Sequence, residues 1–123
     1  MRSCVFGAAI LVASSTFAFA ADDVMAGYYG NTVISKGTMG ESHTRYKADH
    51  SFSGTATGMM GSMDFKGTWK VDDKGQLCRT YEAALPGMPN PLCTPAEAHK
   101  PGDTWTMQVG AQSRTITMVQ GAH

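Results

Sequence analysis

The sequence predicts a small all-β domain, an antiparallel barrel or sandwich of six to eight strands. Three observations support this prediction. Apolar and polar residues alternate in several short segments, as in strands that bury one face. Turn-forming residues separate these segments, and glycine is frequent, with 14 in 123 residues. The five prolines, which cannot donate to a sheet ladder, all lie between Pro86 and Pro101, so the remaining segments are free to pair.

The clearest hairpin lies in the middle of the chain. Phe65 and Trp69 alternate with polar and charged neighbours along residues 63–71, which places both rings on one face of a strand. Residues 72–75 follow and predict a turn that ends on a glycine. The return strand is predicted at residues 76–83.

Five further strands and one helix are expected. The strands are predicted at residues 31–35, 43–48, 51–59, 104–109 and 114–120. A short helix is predicted at residues 22–29, with Asp22 as its N-cap and Gly30 after its end. Residues 85–103 contain all the prolines and are predicted to form one long loop.

The first twenty residues have the layout of a secretory signal peptide. A positive start at Met1–Arg2 precedes an apolar run over residues 4–12, and Ala18–Ala20 forms an A-x-A processing site. The apolar run is too short to span a bilayer. We therefore expect residues 1–20 to be removed and residues 21–123 to work as a single domain in the periplasm or outside the cell.

Two cysteines, Cys78 and Cys93, remain after this cleavage. In an oxidising compartment they are expected to form a disulfide that ties the proline-rich loop to the preceding strand. A redox function is the less favoured alternative, because redox pairs are usually spaced C-x-x-C.

The charge of the chain excludes one class of partner. Ten Lys and Arg residues balance ten Asp and Glu residues, and losing Arg2 with the leader leaves nine against ten, a net charge of −1. The chain has no cluster of basic residues, so nucleic acid is not expected as a partner.

Small residues on the predicted strand 51–59 suggest a ligand cavity. Gly54, Ala56 and Gly58 share a face with a phenylalanine, and an inward orientation of that face would leave space inside a barrel. The predicted ligand-binding residues are Tyr46, Phe52, Phe65, Trp69 and Trp105. The alternative is that the glycines allow close packing against an aromatic ring.

Methionines suggest a second kind of site. Residues 59–63 read Met-Met-Gly-Ser-Met, and thioethers are soft ligands that select Cu(I). If the turn after residue 48 is centred between Asp49 and His50, pairing places Met60 opposite Met39 and His43 opposite Ala56. The predicted copper ligands are Met39, His43, Met59, Met60 and Met63. The alternative is that the methionines fill the core or end strands.

No motif in the chain indicates catalysis. The sequence lacks a G-x-S-x-G elbow, a P-loop, a dinucleotide fingerprint and an H-E-x-x-H pair. We therefore expect a protein that is not an enzyme and that binds a small apolar ligand or a cell-envelope partner. Copper binding is the alternative function.

Short motifs give two family resemblances. Gly67–Thr68–Trp69 has the G-x-W form and resembles lipocalin-like and avidin-like barrels, in which the tryptophan closes one end. A wider set resembles short secreted bacterial proteins grouped as a domain of unknown function. Its motifs are Gly30–Val33, Tyr46 with Asp49, Phe52–Gly54, Gly67–Val71, Leu77–Cys78 and Cys93. This resemblance implies export, a β-rich fold and a Cys78–Cys93 pair, without an assigned activity.

Overall fold

Eight antiparallel strands form one sheet that curls into a nearly closed barrel, as the all-β prediction required. The structure, a computed structural model, describes residues 24–59, 61–85, 87–109 and 111–123. The strands are β1 (Asn31–Gly37), β2 (Gly40–Tyr46), β3 (Ser51–Gly58), β4 (Gly61–Val71), β5 (Gln76–Tyr81), β6 (Leu92–Pro95), β7 (Thr104–Val109) and β8 (Gln112–Gln120). The predicted signal peptide and Asp22 lie outside the described residues.

The order of strands in the sheet is β6-β5-β4-β3-β2-β1-β8-β7. Each pair joins neighbours in the chain, except the β1–β8 pair, which joins its two ends. The turns between neighbouring strands lie at the two ends of the barrel. We call the end with the β1–β2, β3–β4 and β7–β8 turns the rim, and the opposite end the base. A 3-10 turn at Ala26–Tyr28 leads into β1 at the base.

The core fills the half of the barrel near the base. Period-2 alternation places one face of each strand inward, and Phe52 and Trp69 on that face are each only 2% exposed. Met25, just before the 3-10 turn, and Met118 of β8 are fully buried. Burying apolar surface of this kind is the main stabilising contribution to the fold.

The predicted hairpin at residues 63–83 is confirmed. Val71 pairs with Leu77, and Gly75 adopts a φ of +78°, a conformation that residues with a Cβ rarely adopt. The predicted N-terminal helix is present as a short helical stretch, and the following Gly30 also has a φ of +78°.

The prediction of one loop over residues 85–103 is wrong, because β6 lies within it. Leu92–Pro95 pairs with β5, and it belongs to the sheet even though it ends on a proline. A strand at the edge of a sheet tolerates proline, since its outer N–H groups have no ladder partner. Within this pair, Cys78 lies directly opposite Cys93, and the two form the predicted disulfide.

The predicted register of the β2–β3 hairpin is wrong by one residue. Tyr46 pairs with Phe52 and His43 pairs with Thr55, instead of Ala56. The turn is one residue longer than a two-residue turn because His50 adopts a φ of +72°, and the Lys47 N–H donates to the Ser51 carbonyl at 2.9 Å.

In the described part of the chain, no helix is long and apolar enough to cross a membrane.

Candidate functional site

Four of the five predicted ligand-binding residues lie together in the base half of the barrel. Phe52 contacts both Tyr46 and Phe65, with ring centroids 6.0 and 6.1 Å apart, and Tyr46 meets Trp69 edge-on at 6.4 Å. All four side chains are buried. The Phe65 ring also covers Gly54, where an added Cβ would lie 2.6 Å from the ring. These rings therefore pack against one another and occupy the space beside the glycine.

The base is closed around Trp69. Its indole N–H donates to the Lys47 carbonyl in the β2–β3 turn at 3.0 Å, and the His50 ring stacks on its face at 4.1 Å. The tryptophan thus ties the β2–β3 turn to β4 across this end of the barrel.

Arg79 of β5 reaches into the same core. Its guanidinium donates to the Tyr46 hydroxyl at 2.7 Å, to the Thr94 hydroxyl at 2.9 Å and to the Leu92 carbonyl at 3.3 Å. Burial raises the pKa of the neighbouring Tyr81, so this phenol stays neutral at physiological pH. Arg79 links β5 to β6 and to β2, which is a structural task.

The half of the barrel near the rim has a different lining. A row of paired residues crosses β1, β2, β3 and β4 here, on the same face of each strand that points inward near the base. The row consists of Ser35, Ser42, Ala56 and Met63. One step closer to the rim, the same four strands carry only glycines on this face: Gly37, Gly40, Gly58 and Gly61. The serines and Ala56 are half-buried, and Met63 is 45% exposed. Apart from Met63, this wall lacks large side chains of the kind that fill the base.

Arg114 of β8 extends across the glycine wall at the rim. Its Nε donates to the Ser35 hydroxyl at 2.5 Å, and its Nη2 donates to the Ser35 and Gly40 carbonyls at 3.0 and 3.2 Å. Gly37 leaves room for it, since an added Cβ there would lie 2.9 Å from Nη1. None of the ion pairs among the described residues includes Arg114. The hydrogen-bond partners of its guanidinium are neutral groups.

Neither Arg79 nor Arg114 was predicted as a site residue, although the strand pattern contains a signal for both. Arg114 lies two residues before Ile116 and four before Met118, on the same face of β8. Arg79 lies between Leu77 and Tyr81 on the same face of β5. An arginine at an inward position of an amphipathic strand indicates a buried or half-buried charge.

The observed register separates His43 from the described methionines among the predicted copper ligands. Met39, Met59 and Met63 lie at the rim, whereas His43 lies on the outer face of β2. The His43 ring contacts the Glu41 carboxylate at 2.5 Å and the His123 carbonyl at 3.2 Å. Met60 lies outside the described residues. No group of three or more His, Cys, Asp or Glu side chains within the described ranges is placed to hold a metal ion.

Trp105, the fifth predicted ligand-binding residue, lies apart from the other four. It is half-buried on β7 and stacks on the His99 ring, with centroids 3.4 Å apart. The two nitrogens of His99 face Asp103 Oδ2 at 3.3 Å and Glu97 Oε1 at 3.2 Å. The Lys100 N–H and His99 both bond to the Asp103 carboxylate, and these bonds lower its pKa.

This carboxylate–histidine–carboxylate arrangement lies in the segment that joins β6 to β7. Sequence reasoning missed it because the loop, and not strand periodicity, brings Glu97, His99 and Asp103 together. These contacts fix the loop and hold His99 against the indole of Trp105.

A surface cavity of about 480 Å³ lies beside β3, β4 and the segment that follows β5. Charged side chains of both signs line it, and two of them, Lys66 and Glu82, form an ion pair at 3.8 Å. The mixed charge gives this cavity no preference for ligands of one sign.

Comparison with protein-family models, with curated proteins and with solved structures found no match for this chain.

Proposed function

We propose that this protein is an exported, non-catalytic binding protein that holds a small apolar ligand with an acidic group at the rim of its barrel. The observation that supports the proposal most directly is the change of lining along the barrel interior. Aromatic rings fill the base, whereas serine, alanine and glycine, with Met63 as the single larger residue, line β1–β4 near the rim.

The rim offers an apolar ligand a suitable wall. Met63, Met107 and Val109 are partly exposed there, on positions that alternate with outward-facing residues. A ligand that covers these side chains removes apolar surface from water, and each 100 Å² so covered contributes about 2.5 kcal/mol before the costs of association.

Arg114 would orient the ligand. Its charge has no acidic partner within the described ranges, and a carboxylate or sulfonate in the rim could accept hydrogen bonds from the free N–H groups of the guanidinium. Pairing of such an anion with the half-buried Arg114 is favourable, because the Ser35 and Gly40 carbonyls already hold the guanidinium in place.

Two fluorescent probes test this proposal. Anilinonaphthalene sulfonate carries an anion on an apolar ring system, and N-phenyl-1-naphthylamine is its neutral counterpart. We expect Arg114→Gln to weaken binding of the sulfonate by about tenfold or more, since hydrogen bonds to charged groups contribute about 1.5–3 kcal/mol. Binding of the neutral probe should be unchanged. Arg45→Gln, on the outer face of β2, is the matched control.

A space-filling variant locates the probe. Ala56→Leu places a large side chain on the inward face near the rim, and it should weaken both probes. Equal affinity of wild type and Ala56→Leu for both probes would show that they bind elsewhere and would reject the proposal. A native mass spectrum of protein purified after export adds an independent test: a chain that begins at Ala21, with a retained small organic molecule, is the expected result.

A further inference from the structure

The methionines at the rim show an unusual degree of exposure. Among the described residues, the large apolar side chains that stand exposed are Met39 at 62%, Met59 at 93% and Met63 at 45%. Methionine is usually a core filler, and Met25 and Met118 of this chain are fully buried in that manner. Packing therefore does not explain the three exposed thioethers.

All three exposed methionines lie at the same end of the barrel. Gly40, the first residue of β2, pairs with Gly58, the last residue of β3. Met39 directly precedes Gly40 and Met59 directly follows Gly58, so the two methionines lie in adjacent turns. The close approach is also seen at Gly58, where an added Cβ would lie 2.8 Å from the Met39 carbonyl oxygen. Met63 pairs with Ala56, on the strand that follows the β3–β4 turn. The fold thus gathers residues that are 24 positions apart in the chain, Met39 and Met63, at one rim.

Three thioethers, two on adjacent turns and one on β4, suit a soft monovalent metal. Thioether sulfur selects Cu(I), whereas Zn²⁺, Mg²⁺ and Ca²⁺ prefer nitrogen, thiolate or oxygen ligands. The cysteines Cys78 and Cys93 are joined in a disulfide, so they offer no thiolate. Among the described residues, methionine is then the remaining soft sulfur ligand, and unlike a thiol it does not form disulfides under oxidising conditions.

We propose that Met39, Met59 and Met63 form a Cu(I)-binding site at the rim of the barrel. The site excludes His43, whose ring is engaged on the outer face by Glu41 and by the His123 carbonyl. The long and flexible methionine side chains allow the three sulfur atoms to converge on the ion from the two turns and β4. Binding needs Cu(I) as such and no electron transfer within the protein.

The test is a titration of the protein with Cu(I), kept reduced by ascorbate without oxygen, against a chromogenic Cu(I) chelator. We expect Met39→Leu/Met59→Leu/Met63→Leu to bind Cu(I) more than about tenfold more weakly than wild type, as loss of groups at a metal site generally does. Met25→Leu, a buried methionine at the base, is the matched control and should retain wild-type affinity.

A second measurement separates metal binding from any change in folding. In protein with ¹³C-labelled methionine methyl groups, Cu(I), or Ag(I) as a redox-inert substitute, should shift the signals of Met39, Met59 and Met63. The buried Met25 and Met118 signals should stay in place. Unshifted rim signals, or a triple variant that binds as well as wild type, would overturn the proposal and leave the exposed methionines as an apolar contact surface.

Discussion

Removing the Cys78–Cys93 disulfide is expected to destabilise the barrel by about 3 kcal/mol. The bond joins residues 15 positions apart, and a covalent link across a loop of this size restricts the unfolded chain by about 3 kcal/mol in the chain-entropy model. A domain of this size has a free energy of unfolding of about 5–15 kcal/mol, so the bond supplies a large share of it.

The structure also indicates which strand should loosen first when the disulfide is removed. The short edge strand β6 pairs with β5 alone, and Leu92 and Thr94 are its buried residues. Arg79 donates to both of them, so loosening of β6 would expose a buried arginine contact as well as a leucine. Amide hydrogen exchange should therefore accelerate in β6 before it does in β3 and β4.

The assay is urea and thermal unfolding of oxidised wild type, reduced wild type and Cys78→Ala/Cys93→Ala. The expected loss corresponds to a fall in Tm of about 12–24 °C, since 1 kcal/mol shifts Tm by about 4–8 °C in a domain of this length. Reduced wild type is the essential control, because Cys78 is buried and its replacement by alanine also removes packing. Reduced and oxidised wild type with free energies of unfolding within about 1 kcal/mol would refute the loop-entropy reasoning.

Two further predictions concern single residues. Gly67→Ala should lower the free energy of unfolding in urea by about 1–3 kcal/mol, because the added Cβ would lie 1.9 Å from the Thr80 carbonyl oxygen in the backbone of β5. A variant as stable as wild type would contradict this prediction. Thr68→Ala, at an exposed position of the same strand, is the control. The lowered pKa of Asp103 stabilises the fold above its unfolded pKa of about 3.9, and this contribution is lost as the pH falls through the folded pKa. Asp103→Asn should therefore lose less stability than wild type between pH 5 and pH 2 in urea titrations; parallel curves would count against this, with Asp73→Asn as control.

Strand alternation was sufficient to predict most of the sheet. The segments at residues 104–109 and 76–83 were recognised because one face of each strand is buried, and burial imposes a period of two on the sequence. β6 escaped recognition for the opposite reason. It is four residues long, it ends on Pro95, and only its pairing with β5 identifies it as a strand.

The candidate site was predictable only in part. The methionine-rich stretch and the small residues on β3 are visible in the sequence. Met59, Met63, Ala56 and Gly58 lie toward the rim in the structure, whereas Gly54 lies beside Phe65 in the base half. The exclusion of His43 from this group depends on the conformation of His50, whose positive φ lengthens the turn and fixes the register. A shift of one residue moves every side chain of a strand to the other face, so this single turn decides which groups can meet.

The sequence by itself determined the all-β class, the main hairpins and the cysteine pair. These follow from local alternation, turn residues and composition, which act over a few neighbouring positions. Only the tertiary structure decided that aromatic rings fill the base, that Arg114 crosses the glycine wall, and that Glu97 and Asp103 hold His99 against Trp105. For Arg114 the physical reason is that β1 pairs with β8, so its contact with Ser35, 79 positions away, depends on strand pairing and not on neighbouring residues. For His99 the reason is the path of the loop, which strand periodicity does not describe.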